Sequence, residues 1–175
     1  MRFLLLTFIV FLLYSCGATV HYDYDNTTDF SSFKSYNYYD DIDSSLNELD
    51  DKRIMHATDS LLQLKGFIKS ETPKFLINFF AKELLSDSRS SVGIGIGGGG
   101  GNVGVGVSGG IPIGGNMVIQ TLTIDFVDTS LDKLIWKAIG EGKIKEKANP
   151  SQKEEFYTKM MIEILSEYPP KNKQL

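Results

Sequence analysis

The chain has 175 residues, enough for one domain with its own core and too few for two domains of ordinary size. Its formal net charge of −4 excludes the basic surplus that phosphate neutralisation needs, so we expect no nucleic-acid partner. The single cysteine excludes an internal disulfide framework and a four-cysteine zinc site, and two histidines leave little room for a histidine-rich metal site. These limits favour a non-enzymatic module over a catalyst.

The first fifteen residues have the features of an export signal. Arg2 supplies one positive charge before an apolar run over residues 3–13, interrupted only by Thr7. At helical rise the run is about 16 Å long, roughly half the thickness of a hydrocarbon core. It is therefore too short for a permanent membrane span, and we predict a signal peptide over residues 1–15.

Cys16 follows this segment directly, at the position where a bacterial lipobox has its cysteine. Leu13, Tyr14, Ser15 and Cys16 resemble a bacterial lipobox, with an aliphatic residue at −3 and a small residue at −1. In lipoproteins of that type the cysteine sulfur receives a diacylglycerol, cleavage occurs just before it, and its new amino group is acylated by a fatty acid such as palmitate. We therefore expect lipidation at Cys16, since two or more chains give stable anchoring. An uncleaved anchor, or an ordinary signal with a chance cysteine, is the alternative.

The residues after Cys16 bear on where the anchored protein resides. Residues 16–19 form the lipidated cysteine and a very short linker, so the domain should sit close to the membrane. An aspartate directly after the cysteine would resemble an inner-membrane retention signal, but Gly17 stands there. A run of acidic residues after Cys16 would resemble a surface-export signal, and the sequence has none at that place. We expect a lipid-anchored, periplasm-facing protein of the outer membrane of Gram-negative bacteria.

Two strands and a helix are predicted in the first half of the mature chain. Val20, Tyr22 and Tyr24 alternate with polar residues, which is typical of a half-buried strand, and residues 30–39 form a second, aromatic-rich extended stretch. A capping box beginning at Ser45 precedes a helix that ends before Gly66. Its apolar stripe consists of Ile54, Ala57, Leu61 and Leu64.

Three strands and a second helix are predicted in the second half. Residues 75–80 indicate a central strand, and residues 118–127 and 134–140 an antiparallel hairpin in which Leu134, Trp136 and Ala138 share a face. A capping box beginning at Ser151 opens the last helix, and residues 171–175 are a polar tail. The element order predicts a single α+β domain over residues 20–170, with a mostly antiparallel sheet and two helices packed on one face.

A long glycine-rich insertion occupies residues 92–116. Thirteen of the seventeen glycines lie between Gly93 and Gly115, and two similar arms of alternating glycine and β-branched residues flank a glycine tract. The mirrored arms suggest a hairpin with a mobile tip. The segment is either a mobile loop between two strands or a hairpin that offers its apolar face to a partner, a second copy of the chain or the membrane. A G-x-G-x-x-G match is no nucleotide site, because no helix start and no G-K-[ST] follow it. The predicted contact residues are Ile94, Ile96, Val103, Val105 and Val107.

Several stretches, in this order, resemble the bacterial lipoprotein family named "domain of unknown function 4136". They are Tyr22 to Asp25, Asp29 to Tyr36, Leu64 to Phe67, Pro73 to Ile77, the glycine-rich loop, Ile124 to Asp128, Leu134 to Ala138, and Tyr168 to Pro170. The resemblance covers roughly residues 20–170. Lys74 departs from it, because the family usually has an aspartate after this proline. The resemblance implies an anchored α+β domain and no established activity.

No catalytic, metal or cofactor site is predicted. Asp23, Asp25 and Asp29 could form a loose calcium site, but an EF-hand loop is excluded because Thr28 and Lys34 replace its glycine and glutamate. A lipidated Cys16 cannot act as a nucleophile. We expect His21 and His56 to lie at the surface, and Trp136 and the tyrosines to fill the core. An aromatic platform for a glycan is the alternative for these rings.

The predicted function follows from the anchor. We expect a lipid-anchored, non-enzymatic binding or structural accessory module of the cell envelope, with the membrane and an unidentified envelope protein as partners. An accessory subunit of an envelope transport or assembly system is the main alternative. A hydrolase of envelope material is a third.

Replacement of the cysteine tests the anchor. We expect Cys16→Ala to move the protein out of the membrane fraction, because the acceptor sulfur is lost. Cell fractionation with immunodetection measures the distribution. Retention of the variant in the membrane fraction would contradict the prediction.

Overall fold

The computed structural model describes residues 18–86, 91–92, 111–112 and 116–170. The helices are α1 (Glu48–Leu64) and α2 (Pro150–Leu165). The strands, in chain order, are β1 (Thr19–Tyr24), β2 (Ser35–Tyr38), β3 (Ile68–Lys69), β4 (Phe75–Ser86), β5 (Ser91–Val92), β6 (Ile111–Pro112), β7 (Met117–Asp128) and β8 (Lys133–Lys145). The predicted α+β class with two helices is confirmed.

The main sheet has six strands in the order β1-β8-β7-β4-β2-β3. The β1–β8, β8–β7 and β7–β4 pairs are antiparallel, but β2 runs parallel to both β4 and β3. The prediction of a mostly antiparallel sheet is therefore wrong, and the sheet is mixed. The reason is the crossover through α1, which returns the chain to the starting edge before β3 and β4. The two-residue strand β3 was missed because it is too short to show alternation.

The glycine-rich insertion leaves and re-enters the sheet between β4 and β7. Beyond β4, the short strands β5 and β6 pair antiparallel, with Val92 opposite Ile111. Residues 93–110, which contain all five predicted contact residues, lie outside the described part of the chain. The hairpin therefore stays a prediction, as do the signal peptide, Cys16 and the polar tail.

Both helices begin at an asparagine rather than at the predicted serine. The Asn47 side chain accepts hydrogen bonds from the backbone N–H groups of Leu49 and Asp50, whereas Ser45 lies before the helix with φ of 61°. Asn149 and Gln152 form the capping box of α2, and Pro150 occupies the first helical turn. Gly66 ends α1 as predicted, with φ of 84°.

One buried cluster joins the two helices to a single face of the sheet. Phe75, Ile77 and Phe79 alternate with half-buried residues along β4, as predicted. Ile54 and Ala57 of α1 are buried as predicted, but Leu62 is buried whereas Leu64 is 84% exposed. In the last helical turn the buried stripe therefore passes through Leu62 rather than Leu64.

A β-bulge changes which residues of β8 face the core. The β7–β8 register shifts between Phe126 and Val127, so that Trp136 pairs with Phe126 and Leu134 with Val127. Ile135 and Trp136 are both buried, while Leu134 is 44% exposed. The predicted common face of Leu134, Trp136 and Ala138 is therefore wrong at Leu134, because the extra residue reverses the alternation.

Tyr168 lies at the centre of the aromatic core, just after α2. Its ring centroid is 4.6 Å from that of Phe126, 5.1 Å from Trp136 and 5.4 Å from Phe67. The Nζ atom of Lys65 donates a hydrogen bond of 2.9 Å to the Tyr168 carbonyl oxygen. Tyr168 therefore joins the ends of both helices to the middle of the sheet.

Two glycines let α2 approach β8 closely. A Cβ atom on Gly140 would lie 2.8 Å from Cδ1 of Ile164, and one on Gly142 would lie 2.9 Å from Cε of Met160. These separations are shorter than van der Waals contact, so the bare backbone of β8 forms the floor on which α2 packs.

Alanine at Gly140 tests this close approach. We expect Gly140→Ala to lower the free energy of unfolding by about 1–3 kcal/mol, because the fully buried Ile164 has no space to move. Gly142→Ala should cost less, since its Cβ atom would meet the end of the flexible Met160 side chain and the ring edge of Phe156, which is only partly buried and can shift. Equilibrium urea unfolding measures both variants. Glu141→Ala, on the opposite face of the same strand, is the control, and an equal effect there would contradict the prediction.

Candidate functional site

The two histidines lie at the surface and face different parts of the molecule. His21 is exposed on the edge strand β1. His56 is exposed on α1, where its Nδ1 atom is 3.7 Å from a carboxylate oxygen of Glu154 on α2. The structure does not bring these two side chains together, and neither contacts a buried acidic group that could orient a general base.

The acidic residues weighed for calcium are engaged in local turns. Asp25 accepts hydrogen bonds from the backbone and side chain of Thr27, and its other oxygen pairs with Nζ of Lys133. The Lys133 and Thr27 hydrogen bonds hold the pKa of Asp25 well below its ordinary value. Asp29 caps the turn at Ser31 in the same way. Within the described ranges, no three His, Cys, Asp or Glu side chains are grouped to hold a metal ion.

The rings considered as a glycan platform lie in different environments. Trp136 is fully buried beneath Tyr168 and Phe126, as the core interpretation expects. Tyr22 is the exception: it lies on the edge strand, 47% exposed, and stacks on Tyr24 with 6.5 Å between ring centroids.

A polar cleft of about 490 Å³ lies between the first turns of the two helices and the β4–β7–β8 ladder. Asp50 is buried at its base and accepts hydrogen bonds of 2.6 Å from Nη1 of Arg53, Nζ of Lys153 and Nδ2 of Asn47. Burial alone would raise the pKa of Asp50, but the Lys153 and Asn47 hydrogen bonds outweigh it and lower the pKa. This charge network connects the beginnings of α1 and α2.

The strand side of the cleft carries a second polar pair. Nε2 of the buried Gln120 donates a hydrogen bond of 2.9 Å to Glu83. The Oε1 atom of Gln120 has no hydrogen-bond partner among the described residues. Tyr157 lies beside it in the wall of the cleft, and burial raises the pKa of its hydroxyl. Sequence reasoning missed these residues, because polar side chains on strand and helix faces look solvated until the two layers are assembled.

One end of the main sheet collects the start of β1, the start of β7 and the ends of β4 and β8. Thr19 pairs with Glu141, while Ser86 and Lys145 flank Met117. A second cavity of about 490 Å³ lies here, and its walls include Ala18, Lys143, Lys145, Phe156 and Met160. We call this end of the sheet the proximal end, because the first described residue, Ala18, lies there.

The sheet face turned away from the helices is partly apolar and partly basic at the proximal end. The register places Leu84, Ile119 and Lys143 in one row across the strands, and Lys82, Thr121 and Glu141 in the next. Leu84 is 67% exposed. We call this surface the proximal face; it consists of Lys82, Leu84, Met117, Ile119, Lys143 and Lys145.

The middle of the same sheet face is different in character. Nζ of Lys137 is 3.4 Å from a carboxylate oxygen of Asp125. Burial nevertheless raises the pKa of Asp125, against the effect of Lys137. The charges of the proximal face are not paired in this way: within the described part of the chain, Lys82, Lys143 and Lys145 form no ion pair within 4 Å.

Removing the charge of Asp50 tests the network in the polar cleft. We expect Asp50→Asn to lower the free energy of unfolding at pH 7 by about 1–3 kcal/mol, because Arg53 and Lys153 lose their shared acceptor. Folding lowers the pKa of Asp50. The stability that its charge contributes is therefore present above the unfolded-state pKa and is lost as the pH falls below about 4. The difference between wild type and variant should therefore narrow in acid.

Urea unfolding at pH 7 and at pH 3 measures this difference. Glu48→Gln is the matched control, since Glu48 lies on the same helix and pairs with Lys52 in full solvent. Its effect should stay below about 0.5 kcal/mol. A difference for Asp50→Asn that is the same at both pH values would contradict the prediction.

Comparisons with known proteins show the fold and the family. A PDZ domain protein from Parabacteroides distasonis is similar, with a TM-score of 0.54 at 14% identity; the match covers 94% of this chain and 39% of that one, so this chain spans well under half of that protein's length. The PelC dodecamer from Paraburkholderia phytofirmans matches with a TM-score of 0.45 at 13% identity, covering 85% of this chain and 96% of that one. A comparison with curated proteins finds no match. A family model matches residues 20–170, and the chain therefore belongs to the family described as Domain of unknown function (DUF4136).

Proposed function

We propose that the protein is a lipid-anchored, non-enzymatic accessory module of the bacterial cell envelope. Lipid chains on Cys16 would hold it on the periplasmic side of the outer membrane, where it binds or supports another envelope component. Its partners would be the membrane itself and an envelope protein of unknown identity.

The observation that carries this proposal is the position of Ala18. Ala18 is half-buried and packs against the core, and β1 begins at the next residue. Two residues of extended chain reach about 7 Å, so Cys16 can be no farther than that from the body of the domain. An acylated Cys16 would therefore hold the domain directly at the membrane surface.

Two further observations support a binding or structural role. The proximal face exposes apolar and basic side chains together, which is typical of a contact surface. The polar cleft contains a charge network that connects the two helices. Its buried carboxylate, Asp50, already accepts hydrogen bonds from three side chains of this chain. Neither helix in the described part of the chain combines the length and apolar character needed to cross a bilayer.

Intact mass spectrometry of the protein purified from membranes tests the proposal. We expect cleavage before Cys16 and an added mass equal to one diacylglycerol and one fatty acid, together with incorporation of labelled palmitate. The Cys16→Ala variant has no acceptor sulfur, so it should incorporate no label. A free thiol on a mature chain, or an intact leader, would overturn the proposal.

A further inference from the structure

We propose that the proximal face rests on the bilayer surface and that its lysines contact anionic phospholipid headgroups. This inference rests on the proposed lipid anchor, and it goes further by assigning which side of the domain faces the membrane. The helices then face away from the bilayer.

The first step of the argument is the position of the anchor relative to the face. β1 runs antiparallel to β8, with Thr19 opposite Glu141. The chain before Thr19 therefore starts beside the segment of β8 that carries Lys143 and Lys145. With Cys16 within about 7 Å of Ala18, the acyl chains enter the membrane next to the proximal face.

The second step is the chemistry of the face. Leu84 and Ile119 are partners in the β4–β7 ladder, Met117 lies two residues before Ile119 on β7, and all three point to the side without helices. Lys143 and Lys145 lie opposite Ile119 and Met117, and the neighbouring row holds Lys82 together with Glu141, the one acidic residue of these three rows. Apolar side chains surrounded by lysines match a membrane interface, where the hydrocarbon parts of the side chains enter the headgroup layer and the ammonium groups meet lipid phosphates.

The third step is charge complementarity. The whole chain carries a formal charge of −4, so an anionic membrane repels most orientations of the domain. The proximal face reverses that sign, because it carries three lysines and the single acidic residue in the same rows is the neighbouring Glu141. A protein tethered at this edge would therefore turn its basic sheet face, rather than its acidic loops, towards an anionic surface. Because the proposed anchor lies beside this edge, the bilayer is the anionic surface that the basic face meets.

A single-thiol label measures the orientation. Cys16 is the only cysteine, so in the acylated protein a Leu84→Cys variant offers one free thiol for a fluorophore. Leu131→Cys is the matched control, because Leu131 is 71% exposed, close to the 67% of Leu84, but lies in the β7–β8 turn at the opposite end of the sheet. Full-length protein purified from membranes is reconstituted into vesicles of phosphatidylethanolamine and phosphatidylglycerol that carry a quencher on the lipid.

We expect about twofold quenching of the label at position 84, and none at position 131, because interfacial side chains enter the headgroup layer by about 5–10 Å. Replacing the three lysines of the proximal face by glutamine should abolish the quenching. Replacing Lys34, Lys52 and Lys74 by glutamine changes the net charge equally and should leave it intact. Phosphatidylcholine vesicles, or high salt, should weaken it.

The outcomes separate this inference from the proposed function. If the protein does not float with vesicles, the lipid anchor itself is wrong. If it floats but position 84 is not quenched, the anchor stands and the orientation is overturned. If the label at position 84 reports an apolar environment that lipid quenchers do not reach, a protein surface covers the face and the lipid assignment is overturned.

Discussion

The antiparallel pairing of β1 with β8 determines how the rest of the molecule is arranged about its N-terminal edge. Six consecutive residue pairs, from Thr19 with Glu141 to Tyr24 with Trp136, hold the first described strand against the last one. Ladder hydrogen bonds of this kind leave no freedom of position along the strand. The beginning of the domain is therefore fixed beside the basic end of β8 by backbone geometry alone.

The same strand also connects this edge to the helical layer. Gly140 and Gly142 of β8 lie under Ile164 and Met160 of α2, while the intervening Glu141 points to the opposite face. Because the glycines remove side chains from one face only, α2 packs closely without disturbing the row of charged residues on the other. The polar cleft at the start of α2 is held by the same packing, since Lys153 reaches Asp50 on α1 from the first turn of α2.

The sequence predicted both helices and the long strands, because each contains enough residues for periodicity to emerge. It misplaced the caps, because Ser45 and Asn47 are both good capping residues and only the approach of the chain to the sheet selects between them. It missed β3 and the bulge at Ile135, which depend on neighbours far away in the chain. The parallel pairing of β2 with β4 follows from the crossover connection, which no local pattern reveals.

The proximal face could not be predicted from the sequence for a similar reason. Leu84, Ile119 and Lys143 come from three strands, and each looks ordinary within its own segment. Only the strand register unites them. The one available signal was the alternation of lysines at 143 and 145 with Gly142 and Ile144, which marks a strand with one charged face.

The central position of Tyr168 has a consequence for how the chain folds. Its ring packs against Phe30, near the start of the domain, and against Phe75 and Phe126 from the middle. These contacts join segments that are remote in sequence, and nonlocal topologies of this kind fold slowly because chain entropy is lost before the contacts form. Synthesis from the N-terminus cannot complete the aromatic cluster until residue 168 has emerged. Nearly the whole polypeptide must therefore leave the ribosome before its core can close.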